Sequence, residues 1–309
     1  MTITTKRIKT AVLNPKSAFH HLYRGVDFWP PKNFRKHYRF RFYFLDLPIR
    51  WLLKGVLPQQ WDRSHFATFF EEDVFIDKFF FEEELEPTTF VDVGAGDGID
   101  MSNTFKLADR GVKGLAIEGS PVRFAQLSLT YEKYVDVKLI RTYVSPDSIT
   151  DLITGAEIPS DFDVLNLDID SYDLFVLESI LKAFTPKLCV LEWNRAYPPS
   201  IFFTVDNNPN IHWTGSKFFM GASMLAFYDL LKKFNYKIIG VQGAALFATP
   251  MNRSSSWREL NPEEAWNQYI NGPAKWIDTE TKILSLNKAD QLKFFAAELS
   301  QFEGQFSIG

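Results

Sequence analysis

Short apolar runs alternating with amphipathic stretches dominate the middle of the chain. Phe90–Val93, Gly114–Glu118, Val135–Val144, Val164–Asp170 and Leu188–Glu192 read as strands. Met101–Arg110, Pro121–Tyr134, Ser148–Thr154 and Tyr172–Lys182 lie between or after them with helical spacing. Strands and helices alternating in this way imply parallel βαβ units, hence a doubly wound sheet. Helix Ala222–Phe234 follows, and then Tyr236–Val241 and Ala244–Thr249 face each other across the tight Gln242-Gly243 turn. The expectation is an α/β, Rossmann-like, mostly parallel seven-stranded sheet closed by an antiparallel hairpin, with helical N- and C-terminal extensions.

Three segments, 1–85, 86–250 and 251–309, follow from that pattern. The first ends in a predicted helix, Phe66–Leu85, whose Phe69, Phe70, Phe75, Phe79 and Phe80 form a core-facing stripe among acids. Residues 195–220 form a polar and aromatic loop containing Pro198, Pro199, Pro209 and Gly215. A loop of that length inside a compact domain is usually functional, and an acceptor pocket or lid is expected. From Asn252 onward the chain turns polar, with helices expected at Pro262–Asn271 and Ala289–Phe302 and a packing or homo-oligomer role.

Composition sharpens this picture. A hydrophobic content of 46% with 23% charged residues describes a globular protein, and 30 Phe supply an aromatic-rich interior or surface. The net charge of -4 conceals an asymmetry, because residues 1–64 hold 13 Lys and Arg against Asp27, Asp46 and Asp62. Within this basic arm, residues 34–57 mix cations with aromatic and apolar residues. They read either as peripheral membrane contact, where cations meet phosphates, or as a helical cap on the main domain. Nucleic acid is not expected as a partner, since the body is acidic. The single cysteine, Cys189, lies in an apolar strand and reads as a buried thiol, which fits a cytoplasmic protein. Neither a signal-peptide pattern nor an apolar run of about 18 residues is present, so a spanning helix is not expected.

The chemistry centres on Val91-Asp92-Val93-Gly94-Ala95-Gly96-Asp97-Gly98-Ile99. A buried strand that runs into glycines delivers a ligand site, because glycine lets the backbone turn and approach closely. A nicotinamide fingerprint would need a third glycine at position 99, where the chain has Ile, and Asp97 opposes a pyrophosphate. Local carboxylates instead favour a cationic sulfonium cofactor, S-adenosylmethionine. Glu118, 20 residues beyond Gly98 at the end of the next strand, is placed to accept the ribose hydroxyls. The cofactor set expected from the sequence is Asp92, Gly94, Gly96, Asp97, Gly98, Asn103 and Glu118.

The loop motif, Ser102-Asn103-Thr104, Gly114–Pro121, Leu167–Asp173, Leu191–Asn194 and Phe218–Ser223 together resemble the FkbM-type methyltransferases, within the class I S-adenosylmethionine-dependent fold. The resemblance covers roughly residues 88–250. It implies methylation of a hydroxyl on a sugar, glycan or related small-molecule acceptor. Gly96 departs from the relatives, which often carry Asn after the Gly-Ala pair.

A sugar hydroxyl is a weak acid, so methyl transfer to it needs a base or a metal. Asp168 and Asp170 share one face of their expected strand, and Glu192 and Asn194 end the neighbouring one. Three carboxylates and an amide oxygen form a candidate Mg²⁺ site, to which the resemblance also points. The same carboxylates could act as a metal-free base, or Asp170 and Asp173 could cap the following helix while Asp168 bonds the cofactor. His212, in the long loop, is a further candidate base. The rival to an enzyme is a non-catalytic protein of the same fold that uses its basic arm at a membrane or partner surface.

Overall fold

The computed structural model describes residues 72–253, 256–272 and 283–309. The basic arm, including the membrane-contact expectation for residues 34–57 and the first turns of helix 66–85, lies outside the described residues. Helix α1 spans Glu72–Glu82, followed by β1 (Thr89–Val93), α2 (Phe105–Asp109), β2 (Lys113–Glu118), α3 (Pro121–Tyr131), β3 (Val137–Arg141) and α4 (Ile149–Gly155). Then come β4 (Val164–Leu167), α5 (Asp173–Ala183), β5 (Leu188–Glu192), β6 (Phe203–Val205), α6 (Met224–Lys233), β7 (Tyr236–Gln242) and β8 (Ala245–Pro250). Helices α7 (Pro262–Asn271) and α8 (Lys288–Glu298) and strand β9 (Phe306–Ile308) complete the described chain.

Seven strands form one sheet in the order β3-β2-β1-β4-β5-β8-β7. The first five are parallel, and β8 and β7 close the edge antiparallel. This is the Rossmann-like sheet with a closing hairpin that the patterning predicts. The order reverses between β1 and β4, so the carboxyl ends of these two strands open a crevice. Alternate residues of the buried strands face two cores. Val91, Val93 and Leu165 pack with α4, α5, α6 and α7. Phe90 and Val164 pack with α1, α2 and α3.

Helix α1 belongs to that second core, although the sequence grouped it with the N-terminal extension. Phe75 stacks on Phe247 at 4.0 Å, and Phe79 and Phe75 both meet Trp257. The ring of Phe75 lies against Gly240, where a Cβ would come within 2.5 Å of it.

Several elements are shorter than their apolar patterns. Helix 101–110 reduces to α2, because Ser102 Oγ accepts the Phe105 N–H and Thr104 Oγ1 bonds Asp92, which ties residues 101–104 into a loop. Strand 164–170 stops at Leu167. There the Asp173 carboxylate accepts the N–H groups of Ile169 and Ser171 and turns the chain, with Asp170 left-handed at φ 59°.

The amino ends of the strands are fastened by one buried carboxylate. Asp163 Oδ2 accepts the N–H groups of Thr88 and Thr89 and both threonine hydroxyls, and Oδ1 pairs with Lys187 Nζ at 2.5 Å. Burial alone would raise its pKa, but the lysine and the N–H and hydroxyl donors outweigh it and hold the carboxyl below its ordinary value. Its stabilisation is therefore complete above the unfolded-state pKa of about 3.9 and is lost as pH falls through the lower folded value. Asp163→Ala, which strands Lys187 and four donors, should cost about 3 kcal/mol at pH 7 in urea unfolding. The cost should shrink at pH 3.

Candidate functional site

The carboxyl ends of β1, β2, β4 and β5 carry almost every residue singled out by the sequence. Two glycines shape the loop after β1. Gly94 has φ 93°, and a Cβ on it would stand 1.7 Å from the Asp168 carbonyl oxygen. Gly98 has φ 79°, and a Cβ there would enter the Tyr131 ring at 2.4 Å and Leu127 at 2.6 Å. No side chain fits at either position. Between them, a Cβ on Gly96 would meet only Arg123, at 3.9 Å, so the space over the loop's centre is open.

Glu118 ends β2 beside that space and is 7% exposed. Its Oε2 accepts the Gly96 N–H at 2.8 Å and its Oε1 accepts the Ser120 N–H at 2.6 Å. Each oxygen keeps a second lone pair for a ligand. Asp97 works inside the loop, accepting the N–H groups of Ile99 at 3.1 Å and Asp100 at 2.8 Å.

Asp92 and Asn103 are tied into the hydrogen bonding that holds the loop. Asp92 is 1% exposed, and its two oxygens accept from Thr104 Oγ1 at 2.5 Å and Asn166 Nδ2 at 2.8 Å. Asn103 in turn donates to Asn166 Oδ1 at 2.9 Å. This chain of bonds fixes the 101–104 loop over β1 and β4. Burial raises the pKa of Asp92 despite the two hydrogen bonds. Thr104 and Asn166 are supports of this loop that the sequence pattern did not single out. A strand carboxylate facing a polar residue of the next strand was the available signal.

Asp168, Asp170 and Glu192 converge, each offering an oxygen within 4.8 Å of the others. The expectation that these acids meet is met, although the shared strand face is not the cause. Both aspartates lie beyond the end of β4, in the turn that Asp173 holds. Burial, followed by repulsion from Asp170, pushes Asp168 up to about 7. Burial also raises Asp170, and burial with the neighbouring Asp168 and Asp170 raises Glu192 well above its ordinary value. Asp173, buried behind them, is pushed up to about 6 although two backbone N–H groups bond it. The cluster therefore holds a proton near neutral pH and shares it among its members.

Two expected members are engaged elsewhere. Asn194 uses its oxygen to accept the Ala196 N–H at 3.0 Å and its amide nitrogen to donate to the Met220 carbonyl at 2.8 Å. It anchors both ends of the 195–220 segment, a bonding role in place of the expected ligand role. His212 is exposed and sits against Tyr143, with ring centroids 5.3 Å apart, outside the carboxylate cluster. Tyr143 itself covers Gly119, so its ring lies beyond the carboxyl ends of β2 and β3. Asp170 does not cap α5 either, since Tyr172 is the N-cap and bears no capping bond. Cys189 is buried, and burial pushes its thiol up.

The 195–220 segment is structured rather than a plain loop, and its partner is the end of the chain. Strand β6 pairs with β9 on one side, and on the other Val205 and Ser223 exchange bonds with Gly221 and Phe203. Tyr197, Phe203, Phe218, Phe219, Phe295 and Leu299 form a third core of their own. Phe219 stacks on Phe302 at 3.9 Å, and Tyr197 stacks on Phe203 at 4.3 Å. The Asn194 N–H to Ala222 bond of 2.8 Å joins this cap to the end of β5, two residues from Glu192.

Neither a family model nor a curated protein matches the chain. Among solved structures, it is similar to an S-adenosylmethionine-dependent methyltransferase from Clostridium acetobutylicum, at 11% identity and a TM-score of 0.39, covering 71% of this chain and 99% of that one. A second is an amino pentose methyltransferase of calicheamicin biosynthesis from Micromonospora echinaspora, bound to S-adenosylmethionine. It shares 13% identity at a TM-score of 0.37, covering 63% and 98% of the two chains. A third is precorrin-6y C5,15-methyltransferase from Geobacter metallireducens, at 14% identity and a TM-score of 0.36, covering 60% and 92%.

Two outcomes test the site's construction. Raised carboxylate pKa values mean that the folded state binds extra protons, so stability is lost as pH rises from about 4 towards 7. Glu192→Gln should therefore raise Tm by roughly 2–4 °C at pH 8 and by much less at pH 5 in thermal scans. Removing residues 303–309 should speed hydrogen exchange at the Phe202 and Asp206 amides at least about tenfold, while β1, β4 and β5 keep their protection.

Proposed function

We propose that this protein is an S-adenosylmethionine-dependent O-methyltransferase acting on a hydroxyl of a sugar, glycan or related small-molecule acceptor. The observation that carries the reading is the open space over Gly96. It is bounded by Glu118 on one side and, through Gly94, by the Asp168 turn on the other. A nucleoside fits these features, because Glu118 retains acceptor capacity for two hydroxyls and the glycine loop exposes backbone. The carboxylates of the neighbouring cluster suit a cationic sulfur and an ammonium better than a phosphate.

Bound there, S-adenosylmethionine would supply a methyl group activated by the positive sulfur. The chain's own work is positioning and proton transfer. Glu118 and the 94–98 loop hold the nucleoside, while the cap of residues 195–222 and 283–309 stands at the end of β5 to receive the acceptor. Aligning the two reactants can contribute much of the rate. Asp168, raised to about 7, is a stronger proton acceptor than an ordinary aspartate and is still ionised in part at neutral pH. It takes the hydroxyl proton onto a carboxylate oxygen, and Asp170 and Glu192 set its basicity. The three carboxylates also fit Mg²⁺, an ion that takes oxygen ligands, and it would lower the pKa of the acceptor hydroxyl. The sugar or glycan class is supported by the FkbM-type motifs at residues 167–173, 191–194 and 218–223.

Calorimetry should give a micromolar Kd for S-adenosylmethionine, and no detectable binding would sink the reading. In an acceptor-hydroxyl screen with labelled cofactor, Asp168→Ala should lower turnover by about 100-fold or more, with cofactor affinity kept within about threefold. Turnover that survives EDTA assigns the carboxylates to proton transfer. Loss restored by Mg²⁺ assigns them to a cation.

A further inference from the structure

We propose that Arg123 reads the carboxylate at the amino-acid end of the cofactor and so determines which sulfonium compounds the site accepts. This inference rests on the S-adenosylmethionine reading above.

Helix α3 opens on a Ser120 cap with Pro121 at its first position, and Ser120 Oγ accepts the Arg123 N–H. That start aims the Arg123 side chain back over the glycine loop. Its Nη1 is 3.9 Å from the place a Gly96 Cβ would occupy. Among the described residues, no carboxylate lies within ion-pair distance of its guanidinium, and only its backbone N–H is hydrogen-bonded. Its charge nevertheless reaches the acidic cluster, where it opposes the rise in the Asp170 pKa. An unpaired guanidinium thus faces the crevice that the carboxylates line.

The loop itself measures the gap. Gly94 touches the Asp168 backbone, and Gly96, two residues on, lies beneath Arg123. A ligand seated along this loop has the Asp168 turn at one end and, at the other, Arg123 over Gly96 beside the hydrogen-bonded Glu118. The amino-acid end of S-adenosylmethionine carries an ammonium and a carboxylate on one carbon, beside the sulfonium. The Asp168–Asp170–Glu192 cluster attracts the two cations and repels the carboxylate, and Arg123 offsets that repulsion. The guanidinium fork matches a carboxylate in a way that no neutral side chain can. Arg123 would therefore favour the intact cofactor over an analogue that lacks the carboxylate.

The test is calorimetry of the full chain and of Arg123→Met with two probes, S-adenosylmethionine and its decarboxylated analogue. The wild type should bind S-adenosylmethionine about tenfold more tightly than the analogue. Arg123→Met should lose about tenfold for S-adenosylmethionine and nothing for the analogue, and Arg123→Lys should recover part of the difference. Equal weakening for both probes, or no weakening for either, would overturn the assignment while leaving the cofactor reading intact. Absence of binding of both probes to the wild type would overturn the cofactor reading and this assignment together. The side chain is exposed, so circular dichroism of Arg123→Met should match the wild type.

Discussion

At Gly94 the backbone of β1 passes so close to the Asp168 carbonyl that a single methyl group would collide with it. The Asp168 N–H reaches back to the Val93 carbonyl at 2.9 Å, so the two strand ends are joined by both contact and hydrogen bond. The glycine loop and the acidic turn are thereby fastened directly to each other. Glu118 is drawn in through the Gly96 N–H, and the 101–104 loop through the Asp92, Thr104 and Asn166 bonds. Each further part of the crevice takes its position from that first close approach.

The two ends of the sheet are built on opposite electrostatic principles. At the amino ends, the negative charge of Asp163 is answered by a lysine and four N–H or hydroxyl donors, and the group stabilises the fold. At the carboxyl ends, three carboxylates are pressed together with little compensation, which costs stability in the ligand-free protein. Such an arrangement persists only where the scaffold over-determines it. Here the Gly94 contact and the Asp173 bonds to residues 169 and 171 do so. Repulsion among fixed carboxylates is also the property that makes one of them a good base or a welcoming seat for a cation.

The seven strands of the main sheet were legible because buried parallel strands are nearly continuous apolar runs with glycine and proline at their ends. The glycine loop after β1 was legible from its glycine spacing, and its neighbour Glu118 from the end of the next strand. Less visible was how the loop is held, since Thr104 and Asn166 matter only once β1 and β4 are neighbours. Asp168 and Asp170 were identified on an alternation argument that fails beyond Leu167, and they meet Glu192 through a turn no periodicity describes. Asn194 and His212 had suitable chemistry, but tertiary bonding commits the first to the 195–220 segment and sets the second against Tyr143. The cap stayed hidden because its strands are three residues each and pair across most of the chain's second half. Its Phe residues follow no single helical or strand period.

That pairing has a consequence for the order in which the protein is made. Asp206 and Ser307, hydrogen-bonded beside the β6–β9 ladder, are 101 residues apart. All seven strands of the main sheet have been synthesised once β8 is made, and Trp257 and α7, which pack on them, follow within about 20 residues. Strand β6, by contrast, emerges before β7 and β8 and stays without one of its neighbours until residues 306–308 leave the ribosome. A nascent chain can thus assemble the glycine loop and the acidic turn well before the β6–β9 pairing is finished, with the Phe203 and Phe219 rings exposed in the interval. Chaperone contact during synthesis is expected to concentrate on that segment rather than on the sheet.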